Sequence, residues 1–365
     1  MKILYIAPAS SGHTKKFCDY FAAHGHQVHV ISFVPGIIDS ADVRIIDTGA
    51  SVLGGDFQKL KYLKAISFIR QQVKQLKPDV INAHYLTSYG GIMALTGIKN
   101  YIVSVWGSDV YDFPCKSFLH KMWVKFSLSR AGVLFSTSKA MADEAGKYTR
   151  KQFFITPFGV DMNLFSPDKS TRAKNDGQFI VCCVKTLAPK YGIEYLIRAA
   201  RLVKDKRPDI NLKVRIAGKG IIEEQLKALT EELQLNGVVS FLGYISQEKA
   251  AEEWANADVS VIPSVIDSES FGVSAVEAQS CGSSVIISDI PGLMEATSPG
   301  HSSIVVPRRN PEAIAENIIK LYDDEELRHT LGRNGRKFVA EHYELNKNFQ
   351  YIESLYREVM KKNQQ

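Results

Sequence analysis

The chain has 365 residues, is 45% hydrophobic and 23% charged, and carries a formal net charge of +6, an ordinary globular composition with length enough for two hydrophobic cores. No apolar run approaches the roughly 18 to 20 residues needed to span a bilayer. The five cysteines, Cys18, Cys115, Cys182, Cys183 and Cys281, are scattered without the spacing of a zinc site or the density of a disulfide framework, so buried free thiols are expected. Charge is uneven: residues 1–165 hold 19 Lys and Arg against 11 Asp and Glu, net +8, and the remainder is net −2. A basic first half fits an anionic partner or simply a solvated lysine face.

In chain order, short β-branched apolar runs alternate with longer helical patterns, the signature of strand-helix units feeding a parallel sheet. The opening MKILYIAP is followed by SSGHTKK rather than a small-residue cleavage site and reads as a first strand, which favours a cytoplasmic protein. Strands are predicted at Lys2–Ala7, Val28–Phe33, Val43–Asp47, Val80–Ala83, Tyr101–Val105, Val133–Thr137 and Phe153–Thr156. Lys61–Lys77 and Ser117–Ser129 are helical stretches between them. A second series follows at Phe179–Val184, Leu212–Ala217, Val238–Leu242, Val259–Ile262, Val285–Ser288 and Ile304–Val306, with helices at Ile193–Lys204 and Ile221–Leu233. Between the series, Asn163–Gly177 is polar, rich in turn formers and without apolar periodicity after Phe165. The fold class is therefore α/β, with two Rossmann-like doubly wound domains, residues 1–165 and 166–345, facing a central cleft. A last amphipathic helix at about 346–365 is expected to pack back on the first domain.

Open parallel sheets bind ligands outside the carboxyl ends of their strands, and the segment SESFGVSAVE at residues 268–277 lies where such chemistry belongs. It follows the predicted strand Val259–Ile262, with a helix starting just after Phe271-Gly272. The unpaired N–H groups and positive dipole end of that helix can receive a phosphate, and Gly272 allows close approach of the backbone. Glu277 within the helix can accept hydrogen bonds from ribose hydroxyls, while Glu269 precedes the helix and can hold a reacting sugar. Taken alone, the two acids are better read as a helix-start acid and a solvated helix residue, and their spacing gains meaning only from the company it keeps.

SESFGVSAVEAQSCGSSVI resembles the E-x7-E signature of the retaining glycosyltransferases of family 4, which have the GT-B fold. The resemblance runs over nearly the whole chain and in the family's order: HGHQVHVIS, KPDVINAH, TPFGVDMNLFSP, KYGIEYLIRA, VRIAGKG, VVSFLGY, ADVSVIPSVIDSESFG and DIPGLMEA. It implies that Glu277 binds the ribose of a nucleotide sugar, that Glu269 lies near the donor sugar, and that the N–H groups following Phe271, at Gly272 and Val273, meet the diphosphate. Leu242, Gly243 and Tyr244 fall where the family frames the nucleobase, Tyr244 being read equally well as core or rim packing. Gly218 ends a strand at the same pocket. Gly12 matches the loop approaching diphosphate and acceptor, or is a plain turn glycine.

Two departures stand out. Where the family places an Arg and a Lys on the leaving group, this chain has Thr186 and Tyr191; Lys185 and Lys190, each one residue earlier, are the expected replacements. Where many members carry a histidine, Ser104-Val105-Trp106-Gly107-Ser108-Asp109 places Trp106. Asp109 then either orients or deprotonates an acceptor hydroxyl or serves as an Asx-type cap. His13, His84 and Trp106 are the acceptor-side candidates, against a packed structural role for each histidine.

The resemblance implies sugar transfer, with retention, from a nucleoside-diphosphate sugar, UDP-linked by preference, to a sugar or lipid-linked sugar acceptor in bacterial-type surface polysaccharide or glycoconjugate synthesis. No cofactor and no metal are expected, since the nucleotide sugar is itself a substrate, and no nucleic acid. Phe113–Phe126 mixes lysines with large apolar residues; it reads as a peripheral seat on anionic lipid at the inner face of the membrane or as a helix packed on its own sheet. The competing readings are a nucleotide-sugar epimerase or hydrolase and a non-catalytic sugar-nucleotide-binding subunit.

Overall fold

The computed structural model describes residues 1–49, 61–172 and 177–364 and divides into two compact units, Met1–Phe158 with Asn348–Gln365, and Gly159–Lys347. The first unit contains β1 Lys2–Ile6, α1 Gly12–Ala23, β2 Gln27–Ser32, β3 Asp42–Ile45, α2 Ala65–Leu76, β4 Val80–His84, α3 Gly91–Thr96, β5 Ile102–Val105, α4 Phe118–Arg130, β6 Val133–Ser136, α5 Lys139–Gly146 and β7 Phe153–Ile155. The second contains β8 Phe179–Val184, α6 Ile193–Lys206, β9 Leu212–Ala217, α7 Glu223–Glu232, β10 Val239–Gly243, α8 Gln247–Asn256, β11 Val259–Ile262, α9 Val273–Ser280, β12 Ser284–Ser288, α10 Pro291–Ala296, β13 Ser303–Val306, α11 Pro311–Asp323 and α12 Glu325–His342. The last helix, α13, is Leu345–Gln364.

All strand pairs are parallel. The sheet orders are β3-β2-β1-β4-β5-β6-β7 and β10-β9-β8-β11-β12-β13. Parallel sheets carry helices on both faces, so their inner strands are buried on both sides; β4, β5, β11 and β12 are buried at every position. In each sheet the strand order reverses once, between β1 and β4 and between β8 and β11. These switch points are where a doubly wound sheet opens a crevice for ligand.

The boundary falls at Phe158/Gly159, earlier than the expected Phe165/Ser166. The segment after Phe158 is polar in sequence yet belongs to the second unit by its contacts. Val160 bridges Glu344, and the Phe165 carbonyl, beneath a fully buried ring, accepts from Ser280 Oγ at 2.6 Å. Of the expected boundary segment 163–177, residues 173–176 lie outside the described residues. Residues 348–365 count with the first unit: Phe349, Ile352, Leu355 and Tyr356 are buried, Phe349 stacks on Tyr20 at 4.7 Å, and Asn82 Nδ2 donates to Tyr356 Oη at 2.8 Å.

Candidate functional site

The second unit gathers its candidate residues at the β8/β11 switch point. β8 ends at Val184, and the next residue, Lys185, donates through its backbone N–H to Ala217 at the end of β9. Gly218 follows with φ +135°, and a Cβ there would lie 1.9 Å from the Lys185 carbonyl oxygen, so only glycine allows these two strand ends so close. Its N–H donates to the Gly243 carbonyl at 2.7 Å. The ends of β8, β9 and β10 are thereby tied into one rim.

The segment after β11 closes on this rim. Val265 N–H donates to the Lys190 carbonyl at 2.9 Å. Gly272 caps α9 in the left-handed region at φ +72°, and Ser274 Oγ, in the first turn, donates to the Val184 carbonyl at 3.0 Å. No side chain caps α9, which leaves its first N–H groups for a ligand. Phe271 is buried edge-on against Tyr343 at 5.3 Å and fixes the turn from below. Val273 and Glu277 are half-buried on α9.

Across the switch point Lys185 Nζ donates to Glu269 Oε1 at 2.9 Å, with side chains 10% and 9% exposed. Burial acts against the Lys185 charge, but Glu269 and then Tyr191 outweigh it and raise its pKa above the ordinary lysine value. The Tyr191 ring has Lys185 Nζ at 4.7 Å and Lys190 Nζ at 4.8 Å from its centre, cation–π distances for both. Tyr191 thus takes the literal place of a cation while organising two neighbouring ones; sequence reasoning treated it only as a loss. Ser274 was missed as well, although it stands inside the quoted motif.

In the first unit, the β1/β4 switch point holds an aromatic cluster. His84 ends β4 fully buried, 4.9 Å from Tyr5 and Phe17 and 4.7 Å from Trp106, ring centre to ring centre. Its two ring nitrogens are buried without a hydrogen-bond partner among the described residues. His13, in the first turn of α1, stacks on Phe158 at 3.9 Å and meets Trp106 edge-on at 5.8 Å. Burial, with a smaller contribution from His13, lowers His84 to about 3; burial and then Lys16 lower His13 to about 4. Both imidazoles are neutral at physiological pH. Phe158 was not singled out in sequence, though TPFGVDMN contains it.

Asp109 is fully buried and its carboxylate is turned into the backbone. Its oxygens accept from the N–H groups of Leu86 at 2.8 Å, Gly107 at 2.8 Å and Trp106 at 3.2 Å. Its geometry is that of a loop-ordering residue, holding Trp106 against His84. Tyr244 is 79% exposed, which corrects its reading as core packing, while Leu242 and Gly243 are half-buried at the end of β10. Gly12 opens α1 in open space, so no close backbone approach within the chain requires glycine there. Cys115 is exposed and the other four cysteines are buried. A cavity of about 790 Å³ in the second unit, lined by Arg172, Asp258, Ser284 and Arg328 among others, lies at the strands' amino ends, away from the switch point.

Comparison with known proteins matches residues 166–338 to the family model described as glycosyl transferases group 1 and residues 2–138 to glycosyl transferase 4-like. The D-inositol 3-phosphate glycosyltransferase of Pseudarthrobacter chlorophenolicus is 29% identical over 302 residues, 74% of this chain and 69% of that protein. Matches to two further relatives span about half of their length, 45% and 48%. Among solved structures, the sucrose-phosphate synthase of Thermosynechococcus elongatus superposes with a TM-score of 0.82 at 20% identity, covering 98% of this chain and 99% of that one. Anabaena Alr3699/HepE in complex with UDP superposes at 0.79 with 18% identity, covering 97% and 99%. These two show the same fold, two Rossmann-like α/β domains, and the two family matches, which between them span most of the chain, place it among the group 1 glycosyltransferases.

Proposed function

We propose that this glycosyltransferase moves a hexosyl or N-acetylhexosaminyl group from a UDP-sugar to an acceptor hydroxyl, with retention and without a metal. The observation that carries the reading is the Lys185–Glu269 pair beside the uncapped first turn of α9. Negative charge grows on the diphosphate as the glycosidic bond to it breaks, and fixed cations and N–H groups aimed there stabilise the transition state. Lys185, Lys190 and the N–H groups after Phe271 fill that role; Glu269 and Glu277 accept from the hydroxyls of the donor sugar and the ribose. The engagement of Glu269 with Lys185 supports a binding group rather than a nucleophile, and the reaction is written as a same-face substitution in which the departing phosphate takes the acceptor proton. Among the described residues no three His, Cys, Asp or Glu side chains converge as a metal site, and the lysines can supply the countercharge. UDP is favoured because the structurally similar Anabaena protein was solved with it. The acceptor reading is a sugar or lipid-linked sugar in surface polysaccharide or glycoconjugate synthesis, met by His13 and Trp106 with the buried His84 ring behind them.

Titration calorimetry with UDP, GDP, ADP and their common sugars tests this. Selective binding of one series is expected, weakened at least ~10-fold by Glu277→Ala, the scale of one charge-assisted hydrogen bond. Lys185→Met is expected to weaken the diphosphate far more than the corresponding monophosphate. No binding by any nucleotide, or equal loss for mono- and diphosphate, would sink the donor assignment. Donor bound but never turned over, with acceptor mixtures supplied, would favour the binding-subunit reading.

A further inference from the structure

The amino-terminal part of α4 exposes a patch that nothing in the donor chemistry uses. Phe118 is 74% exposed, Leu119 77% and Met122 45%. At spacings of one, three and four residues they share one side of the helix's first turn and a half. The helix is held from its other side: Val124 and Leu128 are buried, and Trp123 Nε1 donates to the Thr87 carbonyl at 2.9 Å, with its ring where a Cβ on Gly91 would collide at 2.5 Å. The three apolar side chains are therefore fixed facing outward and do not pack on the sheet of this unit, which removes the packed-helix alternative for them.

Two cations flank the patch. Lys121 and Lys125 are exposed on the same helix and make no ion pair among the described residues, and residues 1–165 carry the chain's whole excess of positive charge. No helix among the described residues is long and apolar enough to cross a membrane. Apolar side chains that enter the acyl boundary, flanked by Lys121 and Lys125 at headgroup level, fit a bilayer surface carrying anionic lipid.

We propose that Phe118, Leu119 and Met122, with Lys121 and Lys125, form a docking surface for an anionic bilayer. The patch presents its substrate-binding unit to acceptors at that surface, and the proposal stands independently of the identity of the donor. Its test uses the full chain with vesicles of phosphatidylcholine alone or mixed with phosphatidylglycerol. Cys115, the exposed thiol three residues before Phe118, takes a polarity-sensitive fluorophore. Flotation with the phosphatidylglycerol vesicles and a blue shift of the label are expected, both weakening as salt rises. Phe118→Ser with Leu119→Ser should reduce binding about 10-fold or more, and Lys121→Gln or Lys125→Gln about fivefold each, with calorimetric nucleotide affinity unchanged. Absence of binding at low salt, or binding that the serine substitutions leave intact, overturns the proposal. So does concentration-dependent self-association that these substitutions abolish, which would assign the surface to a second copy of the chain.

Discussion

At the scale of single residues, the chain keeps two kinds of buried polar group, and they differ in how they are satisfied. Lys185 and Glu269 satisfy each other although 84 positions apart in sequence; removing one partner of such a pair is costly because the other charge stays buried. His84 has no such partner and is kept neutral by burial, with its pKa at about 3. Above about pH 6.5, the unfolded histidine value, folded and unfolded chains bind no proton at this position and His84 is silent. Between about 6.5 and 3 only the unfolded chain takes up the proton, so stability is lost as the pH falls, by about 1.4 kcal/mol per pH unit. His13, lowered to about 4, adds a second proton to the upper part of that window. Denaturant titrations from pH 7 to 4.5 should therefore show a steeper loss in the wild type than in His84→Phe, the difference being close to one proton. Parallel pH dependences would mean that His84 is charged or solvated in the native state.

Elements were the most legible level of this sequence. Strands buried on both faces can be written only as unbroken β-branched or apolar runs, and each predicted strand appears within about two residues of its expected bounds. What stayed hidden was how the loops at the strand ends fold on one another. Neither the Asp109 carboxylate's three backbone donors nor the cations around Tyr191 leave a periodic trace, because loop contacts join residues with no fixed spacing. Glycines show the same contrast. Gly12 and Gly272 each sit beside a helix start in a motif, yet only Gly272 has a positive φ, and a Cβ there would meet Leu293 Cδ2 at 2.6 Å. Gly272→Ala should cost ~1–3 kcal/mol in denaturant unfolding and weaken nucleotide binding together. Gly12→Ala, in open space at the head of α1, should be neutral or stabilising by up to ~1 kcal/mol. Equal effects at the two positions would show that the loop after β11 is not held as described.

For the whole molecule, the two units were legible as two runs of strand-helix alternation, but their border was not, because polar composition marks solvent exposure and not which core a segment serves. Phe165 sits in a segment that reads as linker, yet its buried ring and its carbonyl belong to the second unit. The converse holds at the other end, where the last residues complete the first unit. Phe349 is fully buried against Phe17, Tyr20 and Phe21, residues more than 300 positions away in sequence, and His26 reaches Glu353 at 3.2 Å. Phe349→Ala should therefore destabilise the first unit by about 3–5 kcal/mol, the cost of emptying a buried aromatic site. Native-state hydrogen exchange read by mass spectrometry locates the loss. Peptides from β1, α1 and β4 should exchange faster while those from β8, β9 and β12 keep their protection, because units with separate cores open separately. A uniform loss across both sets would mean that the chain unfolds as one cooperative body, and that its last helix supports the second unit's sheet as much as the one it packs against.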